Sequence, residues 1–123
     1  MNLKNYLSLA FLTLICFCGS GSLQAQVVIN EYSCSNIATI PDNYGNTPDW
    51  IELYNSSAST VSLNGYYLSD KISSPTKWTI PAGVSIAPSG FLRIWCSGKN
   101  IVVGTNIHAG FTLTQTKREA LIF

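Results

Sequence analysis

Charge is scarce in this chain: Lys, Arg, Asp and Glu make up 11% of its 123 residues, and the formal net charge is +1. The sequence has one histidine, one methionine and four cysteines. Each shortage excludes something. Beyond residue 25 only Lys117-Arg118 are adjacent basic residues, whereas a phosphate-binding surface needs clustered Lys and Arg to release counterions, so no nucleic-acid partner is expected. The lone histidine, His108, stands between Gly104 and Gly110 with nothing that marks a nucleophile beside it, and it is read as a surface or loop residue. A triad assembles in space, so sequence order alone does not dispose of one. Still, neither a nucleophile elbow nor a paired Cys-His signature is present, and no catalytic residue, metal site or cofactor is expected.

What is present begins with an export signal. Lys4 supplies a short positive region, Tyr6 to Cys18 is an apolar run of thirteen residues broken only by Ser8 and Thr13, and Leu23-Gln24-Ala25 ends in an alanine suited to a signal peptidase. Residues 1–25 are read as a cleaved secretory signal, which places the protein outside the cell, at its surface or in the periplasm. Two other readings are a membrane anchor and a lipoprotein signal at Cys16 or Cys18. The first needs roughly twenty apolar residues, and the second a small residue before the cysteine, which both lack. After cleavage no spanning segment remains.

The mature part, 26–123, carries six basic and six acidic residues and keeps two cysteines, Cys34 and Cys96. Export favours their oxidation, and a bridge between them would close a loop of about sixty residues, worth roughly 4 kcal/mol by loop-closure entropy. The competing reading is two buried thiols acting as small hydrophobes. Sequence leaves both standing.

Short strands and turns alternate along the rest. Asp49 to Asn55 is the strongest stretch: Ile51 and Leu53 share one face, while Trp50, Glu52 and Tyr54 share the other. Gln26 to Cys34 is a first strand, and Ser35 to Pro48 a long loop dense in turn-formers around Pro41-Asp42-Asn43-Tyr44-Gly45-Asn46. Asn64-Gly65 marks a tight turn before a strand at 66–70. Strands at 77–80, 84–86 and 91–96 follow, then a loop at 97–110, a strand at 111–115, a turn at 116–118 and a last strand at 119–123. Turn signals every eight to twelve residues without helical periodicity are the pattern of an all-β sandwich or barrel. A chain of this size buries somewhat over 60% of its unfolded surface. The final Leu121-Ile122-Phe123 would leave an apolar edge open, so the sandwich is expected to be incomplete at its C-terminus and to continue in a longer protein.

The carboxylates Glu31, Asp42, Asp49, Glu52 and Asp70 could be calcium ligands, but Asp42 to Asn46 lacks the spacing of a calcium loop. The favoured reading makes Asp49 and Asp70 turn caps, and Glu31 and Glu52 polar groups at sheet edges. Of the aromatics, Trp50, Trp78, Trp95, Tyr32, Tyr44, Tyr54, Tyr66 and Tyr67, most are expected in the core, with an exposed few able to stack on sugar rings or anchor a protein.

An ordered set of segments resembles the lamin tail domain. It comprises Ile29-Asn30-Glu31, Ser35-Asn36, Asp49-Trp50-Ile51-Glu52-Leu53-Tyr54-Asn55, Leu63 through Leu68-Ser69-Asp70, Lys77-Trp78, Ile80-Pro81-Ala82-Gly83, and Gly90-Phe91 through Lys99. Phe111-Thr112-Leu113 is similar to the family's later strand, and the resemblance covers nearly all of residues 27–123. The resemblance implies an immunoglobulin-like β-sandwich, found in nuclear lamins and in secreted bacterial proteins beside hydrolase, nuclease, phosphatase, spore-coat-kinase-like or adhesion domains. The signal peptide fits the secreted branch, so chromatin partners do not transfer. Cys34 and Cys96 depart from the family, where small or apolar residues are expected. The function expected is a non-catalytic binding or targeting module, accessory to a downstream domain, with a protein, cell-surface or glycan ligand contacted through loops 35–48 and 97–110. The alternatives are the first domain of a surface hydrolase or kinase-like enzyme, and a carbohydrate-binding module.

Overall fold

The computed structural model describes residues 26–113. The expected signal at 1–25, the turn at 116–118 and the strand at 119–123 lie outside them. Nine strands are described, and no helix among the described residues is long and apolar enough to cross a membrane.

The alternation at 50–55 does what it implies. Strand β2 (Trp50–Asn55) is the second strand of a five-stranded sheet and pairs antiparallel on both sides, with β1 (Val27–Ser33) and with β7 (Phe91–Trp95). Its odd-numbered side chains turn inward, and Ile51 and Leu53 are fully buried. Strand β9 (Asn106–His108) runs parallel to β7, and β8 (Ile101–Val103) forms the far edge antiparallel to β9. The second layer is made of two short antiparallel pairs, β3 (Val61–Ser62) with β6 (Ser85–Ile86) and β4 (Tyr67–Leu68) with β5 (Trp78–Thr79). Leu63, Leu68, Trp78, Ile80 and Ile86 from that layer close on Ile51, Leu53, Ile94 and Ile107 to form one apolar core. Each fully buried aliphatic side chain there contributes about 1.5–3 kcal/mol. The fold is all-β, an immunoglobulin-like sandwich.

On the outer face of the large sheet the register builds a cross-strand ladder. Trp50 stands opposite Trp95, Glu52 opposite Arg93, and Tyr54 opposite Phe91. The Arg93 guanidinium lies over both indoles, 4.7 Å from the Trp50 centroid and 5.7 Å from that of Trp95, and also pairs with Glu52 at 3.3 Å. Both indoles are nearly covered on a face that alternation alone would assign to solvent. In β1 the register slips between Ile29 and Glu31, so Asn30 is an inserted bulge residue, and its amide donates to Glu52 Oε1.

Two expected elements need correction, and the cysteines take one of the two readings left open. The 97–110 stretch is not a loop: it contains the β8–β9 hairpin, whose three-residue strands are too short to display alternation. Of the strand expected from Phe111, the described part forms one isolated bridge, Thr112 with Ser97. Cys34 and Cys96 are free thiols. They follow β1 and β7, which flank β2 on opposite sides, so two inter-strand spacings of roughly 4.8 Å separate them, beyond the Cα reach of a disulfide. The other reading holds for Cys96, which is buried, and burial, aided by Asp49 and Asp70, pushes its thiol far above the ordinary value.

Candidate functional site

The residues that the family resemblance singles out do not converge on one point. They divide into core, ladder and loop braces. Leu68 is core and Trp50, Glu52 and Tyr54 belong to the ladder, while Glu31 is exposed on the edge strand opposite Glu52. Glu52 sits on an interior strand rather than at an edge, and it pairs with Arg93.

The braces are buried polar side chains that satisfy backbone groups where no ladder can. Asn36 donates to the Ile40 and Pro48 carbonyls at 2.7 and 2.9 Å, and its Oδ1 accepts from the Thr39 and Ile40 N–H groups. Asp49 caps the same residue, accepting from the Asn36 N–H at 3.0 Å. One asparagine therefore folds the long loop back on itself. Asn55, fully buried, does the same across the sandwich, donating to the Ser59, Ile86 and Ala87 carbonyls. The Ser69 hydroxyl donates to the Ser74 carbonyl at 2.7 Å and accepts from the Lys71 N–H, and Asp70 pairs with Lys77. The cap expected at Asp70 is thus an ion pair.

At one end of the large sheet the braced loop meets the segment after β7. A cleft of about 440 Å³ opens between them, lined chiefly by Asn46, Thr47, Asp49, Ser97, Lys99 and Thr112. Gly98 makes the bend in its wall with φ +75°, a conformation that a Cβ disfavours. Asp42 organises the opposite side: its Oδ1 accepts from the Tyr44 and Asn46 N–H groups, both at 2.9 Å. Its Oδ2 is buried, makes no hydrogen bond and faces Lys99 Nζ at 3.6 Å. Burial alone would raise this carboxyl, but the Asn46 and Tyr44 donors, with Lys99 and His108, hold it below the ordinary value on balance. Lys99 also lies 4.7 Å above the half-exposed Tyr44 ring.

His108 ties the two sides together. It is fully buried, contrary to the expectation of a surface or loop histidine, because β9 carries it onto the outer face of the sheet beside Trp95, where the Asn43-Tyr44 segment covers it. Asn43 Oδ1 lies 2.7 Å from Nε2 and Ser97 Oγ 2.9 Å from Nδ1. With the Asn43 carbonyl oxygen as acceptor, Nε2 carries the proton and Nδ1 accepts from the Ser97 hydroxyl. Burial lowers the imidazole's affinity for a second proton; Asp42 opposes this and Lys99 reinforces it.

A serine beside a histidine invites comparison with an activated nucleophile. Chemically the set is poorly arranged for that: Asn43 brings no charge to stabilise an imidazolium, and the ring is enclosed. Ser97 Oγ also accepts the Lys99 N–H at 3.3 Å as part of its turn. The set fits a structural tie. Among the described residues no three of His, Cys, Asp and Glu gather as a metal site. The tie through Asn43, Ser97 and His108 carries no local sequence signal, because Asn43 and His108 stand 65 positions apart.

The aromatics split more evenly than expected. All three tryptophans are buried, but Tyr32, Tyr44, Tyr66 and Tyr67 are exposed. Tyr44 is the one that stands against the cleft's Lys99.

No curated protein and no solved structure matches the chain significantly. A family model does: that of the Lamin Tail Domain matches residues 21–121, a span that includes every strand just described. The chain belongs to the lamin tail domain family, a family of non-catalytic immunoglobulin-like modules.

Proposed function

We propose that this protein is a secreted binding or targeting module, accessory to another domain, whose contact surface is the cleft between the 35–49 loop and the turn after β7. The observation that carries the reading is the bracing of that end. Asn36 and Asp42 hold the 35–49 loop in one arrangement through hydrogen bonds of buried side chains, and His108, between Asn43 and Ser97, ties that loop to the turn after β7. A preorganised polar surface on a rigid scaffold is what recognition requires. Export follows from the N-terminal segment, and mass analysis of the exported protein tests it, with Gln26 as the expected first residue.

A glycan is the second reading, favoured by Tyr44. Its half-exposed ring stands against Lys99, which shares the cleft with the hydroxyl and amide groups of Ser97, Thr112 and Asn46, and an aromatic ring with such groups nearby is the combination that stacks on a sugar and hydrogen-bonds its rim. Glycan-array binding that Tyr44→Ala abolishes supports this class. A flat array, with a protein ligand whose binding Lys99→Ala weakens, supports a protein contact instead. Binding by either class that is indifferent to both substitutions places the contact surface elsewhere.

A further inference from the structure

The tie across the cleft has a chemistry that the loop braces lack, because its central group is an imidazole, the side chain whose ordinary value lies closest to neutrality. We propose that His108 is an acid-sensitive clasp: protonating its imidazole releases the Asp42–Asn46 loop from the Ser97–Lys99 turn and so opens the cleft. The regulatory meaning rests on reading that cleft as the contact surface. The clasp itself does not.

Hydrogen-bond accounting and burial both oppose a charged ring in the closed arrangement. In the neutral ring each nitrogen has one suitable partner, an acceptor at Nε2 and a donor at Nδ1. A proton on Nδ1 turns that site into a donor facing Ser97 Oγ, which already accepts from the Lys99 N–H, and forces the serine's own proton to find another acceptor. The ring would also carry a full charge where no part of it reaches solvent. The charged and titratable groups facing it are Asp42 and Tyr44 from the long loop and Lys99 from the turn after β7. Its neighbours across the sheet, Trp95 and Ile101, carry no charge. Asp42 offsets part of the added charge, but it is engaged by two backbone N–H groups and by Lys99, which itself repels an imidazolium.

Relief lies close by. The layer over His108 is Asn43 and Tyr44, both exposed, so water reaches the ring if that segment lifts. The braces at Asn36 and Asp49 bind the root of the loop rather than its tip, so the tip can move while the root stays. Below the ordinary histidine value of about 6.5, the opened form gains over the closed one by up to tenfold per pH unit until the buried ring itself titrates.

The sequence has one histidine, so in tag-free, isotope-labelled protein a single imidazole signal reports it. The expected result is a midpoint below 6.5, at which the Overhauser contacts between the Tyr44 and His108 rings have fallen by about half while those between Trp50 and Trp95 persist. In His108→Gln the Tyr44 ring signals should be flat over the same range. A midpoint at or above 6.5, or a midpoint below it with the Tyr44–His108 contacts intact, overturns the clasp. No ligand enters the measurement, so a flat glycan array leaves the clasp standing, and a failed clasp leaves the contact surface standing.

Discussion

The two ends of this molecule are held by different forces. Around β2 and β7 the chain is held by apolar burial and a continuous ladder: Ile51, Leu53 and Ile94 are fully buried and every facing residue is in register. At the cleft, by contrast, the 35–49 loop has no ladder and few buried apolar side chains, and single polar residues hold it. Burial is cooperative and tolerant of approximate shape, whereas a hydrogen-bond brace is local and fails when one atom is removed. The first kind of region specifies the fold. The second shapes the surface at one end of the sheet.

The largest effect expected tests whether the core governs both regions. Leu53→Ala removes a fully buried side chain from the middle of the sheet and should lower unfolding stability by about 2–5 kcal/mol in denaturant titration. Because the loop end is rooted on β2 and β7, its signals should be lost in the same transition. A separate, unshifted transition for the loop would break the comparison.

Next in size is a brace. Asn36→Ala leaves the Ile40 and Pro48 carbonyls and the Thr39 and Ile40 N–H groups without their partner, at a cost of about 1–3 kcal/mol. Native-state hydrogen exchange should show the loss in the 36–49 segment, with the amides of β2 and β7 protected nearly as before. Uniform loss across the sheet would mean that the loop is part of the core's cooperative unit.

The same division explains what could be read in advance. Strands at 50–55 and 91–95 were legible because alternation there coincides with burial, and Asn64-Gly65 marked its turn because that dipeptide has a local conformational reason. The β8–β9 hairpin was missed since Ile101-Val102-Val103 is an exposed edge strand with no apolar face to betray a period. Trp50 and Trp95 showed the limit of binary patterning: they are covered on the outer face by each other, by Arg93 and by the ladder's geometry, none of which follows from spacing within one strand. Asn36, Asp49, Asn55 and Ser69 stand in the family motif, but the bracing each performs is set by backbone groups elsewhere in space. The cleft was half legible. Its loops were named, while the tie through His108 depends on a contact that no local signal encodes.

A smaller effect concerns acid. Asp42 is held below its ordinary value in the folded protein, so its contribution to stability is fully present above about pH 3.8 and is lost as pH falls through the lower folded value. Asp42→Asn removes the charge seen by Lys99 and one acceptor lone pair set, and should destabilise the loop at neutral pH. The gap between variant and parent should close on acidification, because the protonated parent then has a neutral side chain too. Stability curves of the two proteins from neutral pH to about pH 3 check this, and parallel curves would show that Asp42 acts only as a shape-filling turn residue.

The smallest effect comes from an ion pair outside the lining of the cleft. Lys77 and Asp70 are joined close to β5, with the Lys77 ammonium also 4.8 Å above the Phe111 ring. Both side chains keep some exposure, 27% for Lys77 and 15% for Asp70, so water and salt screen the attraction. Lys77→Ala should cost no more than about 1 kcal/mol, and part of that should disappear in high salt. The informative comparison is Lys99→Ala, which removes a cation of similar exposure from the cleft, where it faces a buried carboxylate oxygen that makes no hydrogen bond. If charge at the cleft is there to shape a surface rather than to hold the fold, the two substitutions should be alike in global stability. They should then differ in the environment of Tyr44, which Lys99→Ala alone would disturb.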